Sequence, residues 1–101
     1  MATQHCIPML KALADETRWR IIHELLGSPA TVNELTARLG ASQYNVSKHL
    51  RVLCEAGLLA KETQGQRRLY ALVPEFARHL VENKNVLDLG CCQFDFTKMP
   101  K

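Results

Sequence analysis

Two cysteines stand side by side near the carboxyl end of the chain, Cys91 and Cys92. Thiolates are soft ligands that suit trivalent arsenic or antimony, cadmium, mercury, lead and copper(I), and adjacent residues bring two of them together at little ordering cost. Neighbouring α-carbons lie about 3.8 Å apart, whereas a disulfide prefers about 5.5 to 6 Å, so the two are poorly shaped to oxidise with each other. The pair predicts a shared soft ligand, or bonding to a third thiol.

Two further cysteines are candidates for that third thiol, Cys6 and Cys54. Cys54 falls between the buried and exposed faces of a predicted helix, where a small apolar filler is the ordinary role. If these cysteines have no sensing function, Cys6 is an inert residue near the N-terminus. Cys91 and Cys92 are then half-buried apolar residues that pack with Phe94 and Phe96. In a cytosolic chain, four cysteines favour reduced thiols, metal ligands or redox sensors over structural disulfides.

A second set of residues has the chemistry of DNA recognition. Steps of about 100° per residue along 42 to 56 place Val46, Leu50 and Leu53 on one side of a helix and polar side chains on the other. Gln and Asn pair with adenine, Lys with guanine, and Ser and Tyr with phosphate oxygens, although the sequence does not fix which of them read bases. The candidate DNA-binding residues are Ser42, Gln43, Tyr44, Asn45, Ser47, Lys48, Arg51, Arg67 and Arg68.

Local signals predict the elements that carry this polar face. Thr31 and Glu34 have the spacing of a capping box, Gly40 suits a helix end, and Ser42 suits the next helix start. The turn between the two helices is then three or four residues long, as in a helix-turn-helix. A polar stripe alone is more often the solvated face of a surface helix, so the polar face by itself does not indicate DNA binding. His49 lies at the border of the buried side, and we expect it to be packed and hydrogen-bonded rather than to contact bases.

Strand character follows at 58 to 63 and 68 to 73, around the connection Gln64-Gly65-Gln66-Arg67. The basic tip of this hairpin suits contact with phosphates or with a narrow minor groove of DNA. The alternative is that charge on a hairpin only protects its edge strands from aggregation.

The remaining signals place helices on both sides of this segment. Asp15 is expected to cap a helix over 16 to 26, after a first helix that ends near Leu13. Pro74 is expected to open a last helix that ends near Glu82, and the tail from 83 to 101 has no clear period. We therefore divide the chain into a DNA-binding and dimerisation domain at 1–82 and a cysteine-containing tail at 83–101.

Composition limits the class of protein. A length of 101 residues fits one domain, and a net charge of +3 is adequate for a nucleic-acid partner if the positive residues share one surface. The 47% hydrophobic content predicts an apolar face covered by a partner, and we expect a homodimer. No apolar run approaches the roughly 20 residues of a membrane span, so we expect a cytoplasmic protein that does not bind a membrane.

Enzymatic function is not expected, because the histidines fall on separate predicted elements without the spacing of ligands or of a nucleophile and base. These residues are His5, His23, His49 and His79. A small module that uses the hairpin for protein contacts is another alternative, and a salt-dependent shift with duplex DNA would decide against it.

Three motifs together resemble the ArsR/SmtB family of winged-helix repressors over residues 8 to 75. They are Leu-Ala-Asp-Glu-Thr-Arg at 13–18, Ser-Gln-x-x-Val-Ser-Lys-His-Leu-x-x-Leu at 42–53, and Ala-Gly-Leu-Leu at 56–59. The resemblance implies a homodimer that binds an inverted-repeat operator and releases it when an inducer binds. It also implies dimer contacts through the first and last helices, near 7–13 and 75–81, which would bring Cys6 close to the tail and make it the preferred third thiol.

Two sensing sites of the family are not matched by this sequence. Thr31-Val32-Asn33 stands where arsenic sensors often carry Cys-Val-Cys, and Thr36 occupies a further common thiol position. His79 and Glu82 have the spacing of half a zinc site, but no Asp-x-His partner precedes them, so zinc is not expected there. The tail remains as the candidate sensing site.

The sequence therefore predicts a mainly α fold with a β-hairpin wing (α+β), a dimeric winged helix-turn-helix. The predicted function is a DNA-binding repressor with no constitutive cofactor, released by As(III), Sb(III) or a soft divalent metal at Cys91, Cys92 and Cys6, with Cys54 as the alternative third thiol. A repressor of the same fold that senses oxidants or reactive sulfur through its cysteines is the alternative function.

Overall fold

The computed structural model describes residues 6 to 98, apart from the side chain of Cys6. Within this range the fold is mainly α with a β-hairpin wing, which confirms the predicted class. None of the helices between residues 6 and 98 is long and apolar enough to cross a bilayer. The elements are α1 (Cys6–Leu13), α2 (Glu16–Leu25), α3 (Val32–Leu39), α4 (Gln43–Glu55), β1 (Leu59–Gln64), β2 (Arg67–Leu72), α5 (Pro74–Glu82), β3 (Val86–Asp88) and β4 (Gln93–Asp95).

The helix-turn-helix of α3 and α4 is set by local chemistry. Thr31 Oγ1 accepts from the Glu34 backbone N–H at 3.1 Å, and Glu34 Oε1 accepts from the Thr31 N–H at 2.9 Å, which completes the predicted capping box. Gly40 ends α3 with φ of 65°, in the left-handed region that favours glycine. Ser42 then caps α4, as predicted.

The wing is an antiparallel hairpin of β1 and β2. Its ladder extends to the pair Gln64 and Arg67, so the connection is only two residues long rather than the four predicted. Gly65, with φ of 62°, supplies the positive dihedral that such a tight turn needs. The chain before α3 also joins the wing, because Ala30 and Tyr70 exchange both backbone hydrogen bonds, at 3.0 and 2.8 Å.

The helices on either side of this segment agree closely with the sequence signals. Asp15 caps α2, its Oδ1 accepting from the Arg18 N–H at 3.0 Å. The helix α2 ends at Leu25, one residue before the predicted end, and α5 includes Pro74 at its first turn.

One apolar cluster joins the five helices. Its members are fully or almost fully buried and come from α1, α2, α3, α4 and α5, and they include Leu13, Ile21, Ile22, Leu25, Leu35, Val46, Leu50, Leu53, Phe76 and Leu80. Two large apolar side chains instead face outward, Ile7 on α1 at 62% exposure and Val81 on α5 at 80%.

The tail contributes to the same core, a role that the sequence analysis named for Cys91, Cys92, Phe94 and Phe96 only as the alternative to sensing. Strands β3 and β4 pair antiparallel, and Leu87, Leu89 and Phe96 are completely buried. The ring of Trp19 in α2 lies 4.9 Å from the Phe96 ring and 5.5 Å from that of Phe94. The hairpin of β3 and β4, with its flanking residues up to 98, is therefore packed on α2; we call this segment, 83–98, the tail hairpin.

Candidate nucleic-acid interface and thiol site

Helix α4 has a buried side and an exposed polar side. Val46, Leu50 and Leu53 are completely buried, while Tyr44 is 76% exposed. The predicted contact residues on this helix are all exposed: Gln43, Tyr44, Asn45, Ser47, Lys48 and Arg51. A helix of 13 residues is about 20 Å long and fits a B-DNA major groove about 12 Å wide. The structure thus gathers the predicted set on one face, and its contact with DNA stays a prediction.

The wing arginines lie beside the start of α4. A cleft of about 660 Å³ separates the wing from α3 and α4. Its lining combines hydrogen-bonding and cationic side chains from all three elements, among them Asn33, Gln43, Ser47, Gln66, Arg67 and Arg68. Gln43 and Ser47 on α4 are therefore brought to one concave surface with Arg67 and Arg68 on the wing, although the two pairs are separated in the chain.

Arg67 has a partner that the sequence analysis missed. Its Nη2 lies 3.4 Å from Glu34 Oε1, so the wing is joined to the first turn of α3. The backbone N–H of Thr31 is the main cause of the lowered pKa of Glu34, to which Arg67 adds. The carboxylate is therefore ionised and available to Arg67 at neutral pH. The Thr-x-x-Glu spacing identified Glu34 as a cap, but only the folded chain places it against the wing.

His49 is packed and hydrogen-bonded, as predicted. It is half-buried at the border of α4, and its Nδ1 lies 3.0 Å from Arg18 Nη1. It is therefore not part of the exposed polar face.

Cys91 and Cys92 form the turn of the tail hairpin. The Leu89 N–H donates to the Cys92 carbonyl at 2.9 Å, and Asp88 Oδ1 accepts from the Gly90 N–H at 2.8 Å. The two sulfur atoms are 3.8 Å apart, too far for a bond between them. Cys91 is exposed and disulfide-bonded, so the expectation of reduced thiols is wrong for this residue. Cys92 is a half-buried free thiol.

Cys54 is the other free thiol among the described residues, near the end of α4. It borders a cavity of about 400 Å³ with Arg51, Lys61 and Tyr70. Burial raises the pKa of Cys54, which keeps the sulfur protonated and disfavours it as a metal ligand. The predicted third thiol, Cys6, has its side chain outside the described residues.

No group of three histidine, cysteine or carboxylate side chains is assembled for a metal within the described part of one chain. At the position of the family zinc site, His79 Nε2 instead accepts from the Asp88 N–H at 3.2 Å. This bond gives His79 a structural role in holding the tail hairpin against α5.

Comparison with known proteins points to one family. The family described as "Bacterial regulatory protein, arsR family" matches residues 15–61. The HTH-type transcriptional regulator Rv2034 of Mycobacterium tuberculosis is 44% identical over 63% of this chain, which spans only 60% of that relative. The arsenical resistance operon repressor of Bacillus subtilis is 36% identical over 83% of this chain and 76% of its own length. The structure of reduced HlyU from Vibrio cholerae has a TM-score of 0.69 and 32% identity, covering 79% of this chain and 84% of that one.

Proposed function

Because this chain belongs to the arsR family of bacterial regulatory proteins, we propose that it is a homodimeric, cytoplasmic repressor that binds an inverted-repeat operator. The observation that carries this proposal is the joint surface of α4 and the wing. The exposed polar face of α4 fits a major groove, and Arg67 and Arg68 reach the adjacent backbone or minor groove. Membership of a family of DNA-binding regulators agrees with the expectation that the chain is not an enzyme.

The exposed apolar residues support a dimer. Ile7 on α1 and Val81 on α5 are 62% and 80% exposed in the single chain, on the two helices through which the family is expected to dimerise. Burial against a second copy would remove this apolar surface from water. The two copies of α4 would then meet half-sites about one helical turn apart, or a multiple of it.

We propose the turn of the tail hairpin as the effector site, with As(III), Sb(III) or a soft divalent metal as the effector. Cys91 and Cys92 supply two sulfur ligands on an ordered turn, and Cys6 is the proposed third. The name of the Bacillus subtilis relative supports a metalloid, and thiolate chemistry supports the soft metals. Since Cys91 is disulfide-bonded in this structure, metal binding requires that bond to be reduced first.

The same disulfide favours a second candidate, a redox-sensing repressor. Oxidation that joins Cys91 to another cysteine changes the covalent connection of the tail hairpin without any metal. Cys92 stays a free thiol beside it, 3.8 Å away. Its thiolate can attack the other sulfur of that disulfide, which bonds Cys92 to the partner cysteine and releases Cys91 as a thiolate, with no net oxidation. The solved structure of the HlyU relative is itself described as reduced.

One experiment tests the proposal and separates the two effectors. A duplex selected from a random-sequence pool is bound by reduced protein, and release is followed by fluorescence anisotropy with arsenite, cadmium, lead, zinc, copper(I), peroxide and persulfide. We expect release by arsenite or a soft metal, and loss of that response when Cys91 and Cys92 are both changed to Ser. Cys54→Ser is the matched control, which should respond like the wild type.

Each result has a separate meaning. Release by peroxide or persulfide alone would support the redox candidate, and mass spectrometry of the treated protein would identify the cysteines joined. Operator affinity unchanged by all of these agents would reject the tail as an effector site. Failure of the selection to yield any bound duplex would reject DNA binding itself.

A further inference from the structure

One half-buried arginine, Arg18, connects three helices away from the surfaces described above. Arg18, in the first turn of α2, donates from Nη2 to the Lys11 carbonyl at 3.1 Å and from Nε to the Ala12 carbonyl. Its Nη1 lies 3.0 Å from His49 Nδ1 on α4. The side chains of Arg18 and His49 are only 16% and 13% exposed. The guanidinium therefore ties the end of α1 to the middle of the helix that carries the polar face.

The chemistry of this contact fixes the protonation of His49. A guanidinium has five N–H donors and no acceptor, so His49 Nδ1 must accept and the ring proton must be on Nε2. Protonation of the ring would set one N–H against another at 3.0 Å and add a second positive charge. The contact with Arg18 therefore exists only with neutral His49.

The charges around His49 come from two elements. Burial lowers the pKa of His49, Asp15 at the start of α2 raises it, and Arg18 and Lys48 lower it further, with a net decrease. Asp15 Oδ1 is 4.0 Å from His49 Nδ1 and already accepts from the Arg18 backbone N–H at 3.0 Å. The ring is thus neutral at pH 7, and it charges only at lower pH than an ordinary histidine.

We propose that Arg18 and His49 are positioning residues for DNA recognition, whose contact holds α4 in the orientation that binds DNA. The inference rests on the proposed function, since it takes α4 as the reading helix. His49 does not belong to the exposed face, so its effect on DNA binding is indirect. If the DNA-bound form requires neutral His49, protonation of His49 and binding of DNA oppose each other. Acid then weakens DNA binding, and bound DNA lowers the pKa of His49 by the same coupling free energy.

The first test follows the His49 ring by NMR in wild-type protein, free and bound to the selected duplex. We expect the proton on Nε2 at neutral pH, and a lower pKa of His49 in the complex than in the free protein. A proton on Nδ1 at neutral pH, or a pKa that DNA leaves unchanged or raises, would overturn the proposal. This measurement needs no variant, so a folding defect cannot obscure it.

The second test compares variants by anisotropy at about pH 7.5 and at about one pH unit below the pKa of His49 found by NMR, since that pKa lies below the ordinary histidine value. His49→Asn keeps an acceptor near the Nδ1 position but cannot titrate, and His49→Leu has no acceptor. Relative to His49→Asn, wild-type affinity at the lower pH should fall about tenfold for each subunit, and so about a hundredfold for a homodimer that needs both His49 rings neutral. His49→Leu should bind weakly at both pH values.

Arg18→Lys provides a matched variant that keeps the charge but loses the planar fork, and it should also bind weakly at both pH values. Thermal melting at each pH establishes that the proteins are folded. Identical pH profiles for wild type and His49→Asn would contradict the inference, as would wild-type affinity in His49→Leu. If wild-type protein does not bind the duplex at the higher pH, the proposed function fails rather than this inference.

Discussion

The polar face of α4 and the wing together form the surface proposed to bind DNA, which we call the reading surface. This surface and the tail hairpin are attached to one core in different ways. Helix α4 has 13 residues, a side-chain cap and three completely buried side chains. Strands β3 and β4 have three residues each. Two side chains of α2 donate hydrogen bonds to backbone carbonyls of the tail hairpin: His23 Nδ1 to Phe96 O at 2.9 Å and Trp19 Nε1 to Lys98 O at 3.0 Å. A helix that crosses the core opens only with the domain, whereas a short hairpin can open locally. We therefore expect the helix proposed to bind DNA to keep its place in the core, while the tail hairpin, proposed to sense the effector, can separate from it.

The largest expected effect is loss of the core under α4. Leu50 is completely buried, and Leu50→Ala should lower the free energy of unfolding by about 2 to 5 kcal/mol. Urea unfolding followed by far-UV circular dichroism, which reports the helices, measures this loss. A loss below about 1 kcal/mol would contradict the central role of α4, since surface substitutions stay within about 0.5 kcal/mol.

A smaller loss is expected for Phe96→Ala, although Phe96 is also completely buried. The helices can stay folded after the tail hairpin leaves α2, so they lose only the free energy of docking. Trp19 is the only tryptophan and packs against Phe96, so its emission should shift to the red while helical dichroism is kept. The exposed neighbour Gln93→Ala should leave the emission unchanged. Loss of helical signal together with the shift would show that the two regions are not separable.

Removal of one cap should have a milder effect on the reading surface. Thr31→Ala deletes the oxygen that accepts from the Glu34 N–H, and we expect about 1 kcal/mol less stability in urea unfolding. Thr31→Ser retains the hydroxyl and should lie near the wild type. Equal losses in the two variants would mean that the methyl group, rather than the cap, stabilises α3.

The smallest effect on stability is expected on the wing. Arg68 is exposed, so Arg68→Ala should change the free energy of unfolding by less than about 0.5 kcal/mol. If Arg68 of each subunit contacts one phosphate, the slope of log affinity against log salt should fall in magnitude by about 0.9 per subunit, or about 1.8 for the homodimer. Arg68→Lys keeps the charge and should keep the slope. An unchanged slope in Arg68→Ala would remove this residue from the interface.

The sequence predicted the reading surface because its signals are local. The cap of Thr31 and Glu34, the turn at Gly40 and the cap at Ser42 each depend on residues a few positions apart. The boundaries of the wing were less accurate, since the pairing of Gln64 with Arg67 depends on the dihedrals of Gly65.

The tail hairpin could not be predicted in the same way. Its strands are too short to show a period, and they are stabilised by α2 through contacts that are distant in the sequence. Phe96 and His23 differ by 73 in residue number, and Lys98 and Trp19 by 79. The contact of Arg18 with His49 likewise spans 31 residues, although both lie within the motifs that resemble the family. Long-range packing of this kind leaves no mark on local spacing.

The pairing of Ala30 with Tyr70 bears on the choice of DNA sequence. Two backbone hydrogen bonds fasten the wing to the segment that leads into α3, and we expect them to limit changes in the distance between the wing tip and the polar face of α4. If the distance between the wing tip and α4 is fixed, the protein cannot follow variations in groove width, and the DNA duplex must deform instead. Sites whose unbound shape already matches the span would avoid the energy of deformation, and base pairs that no side chain touches would then contribute to selectivity.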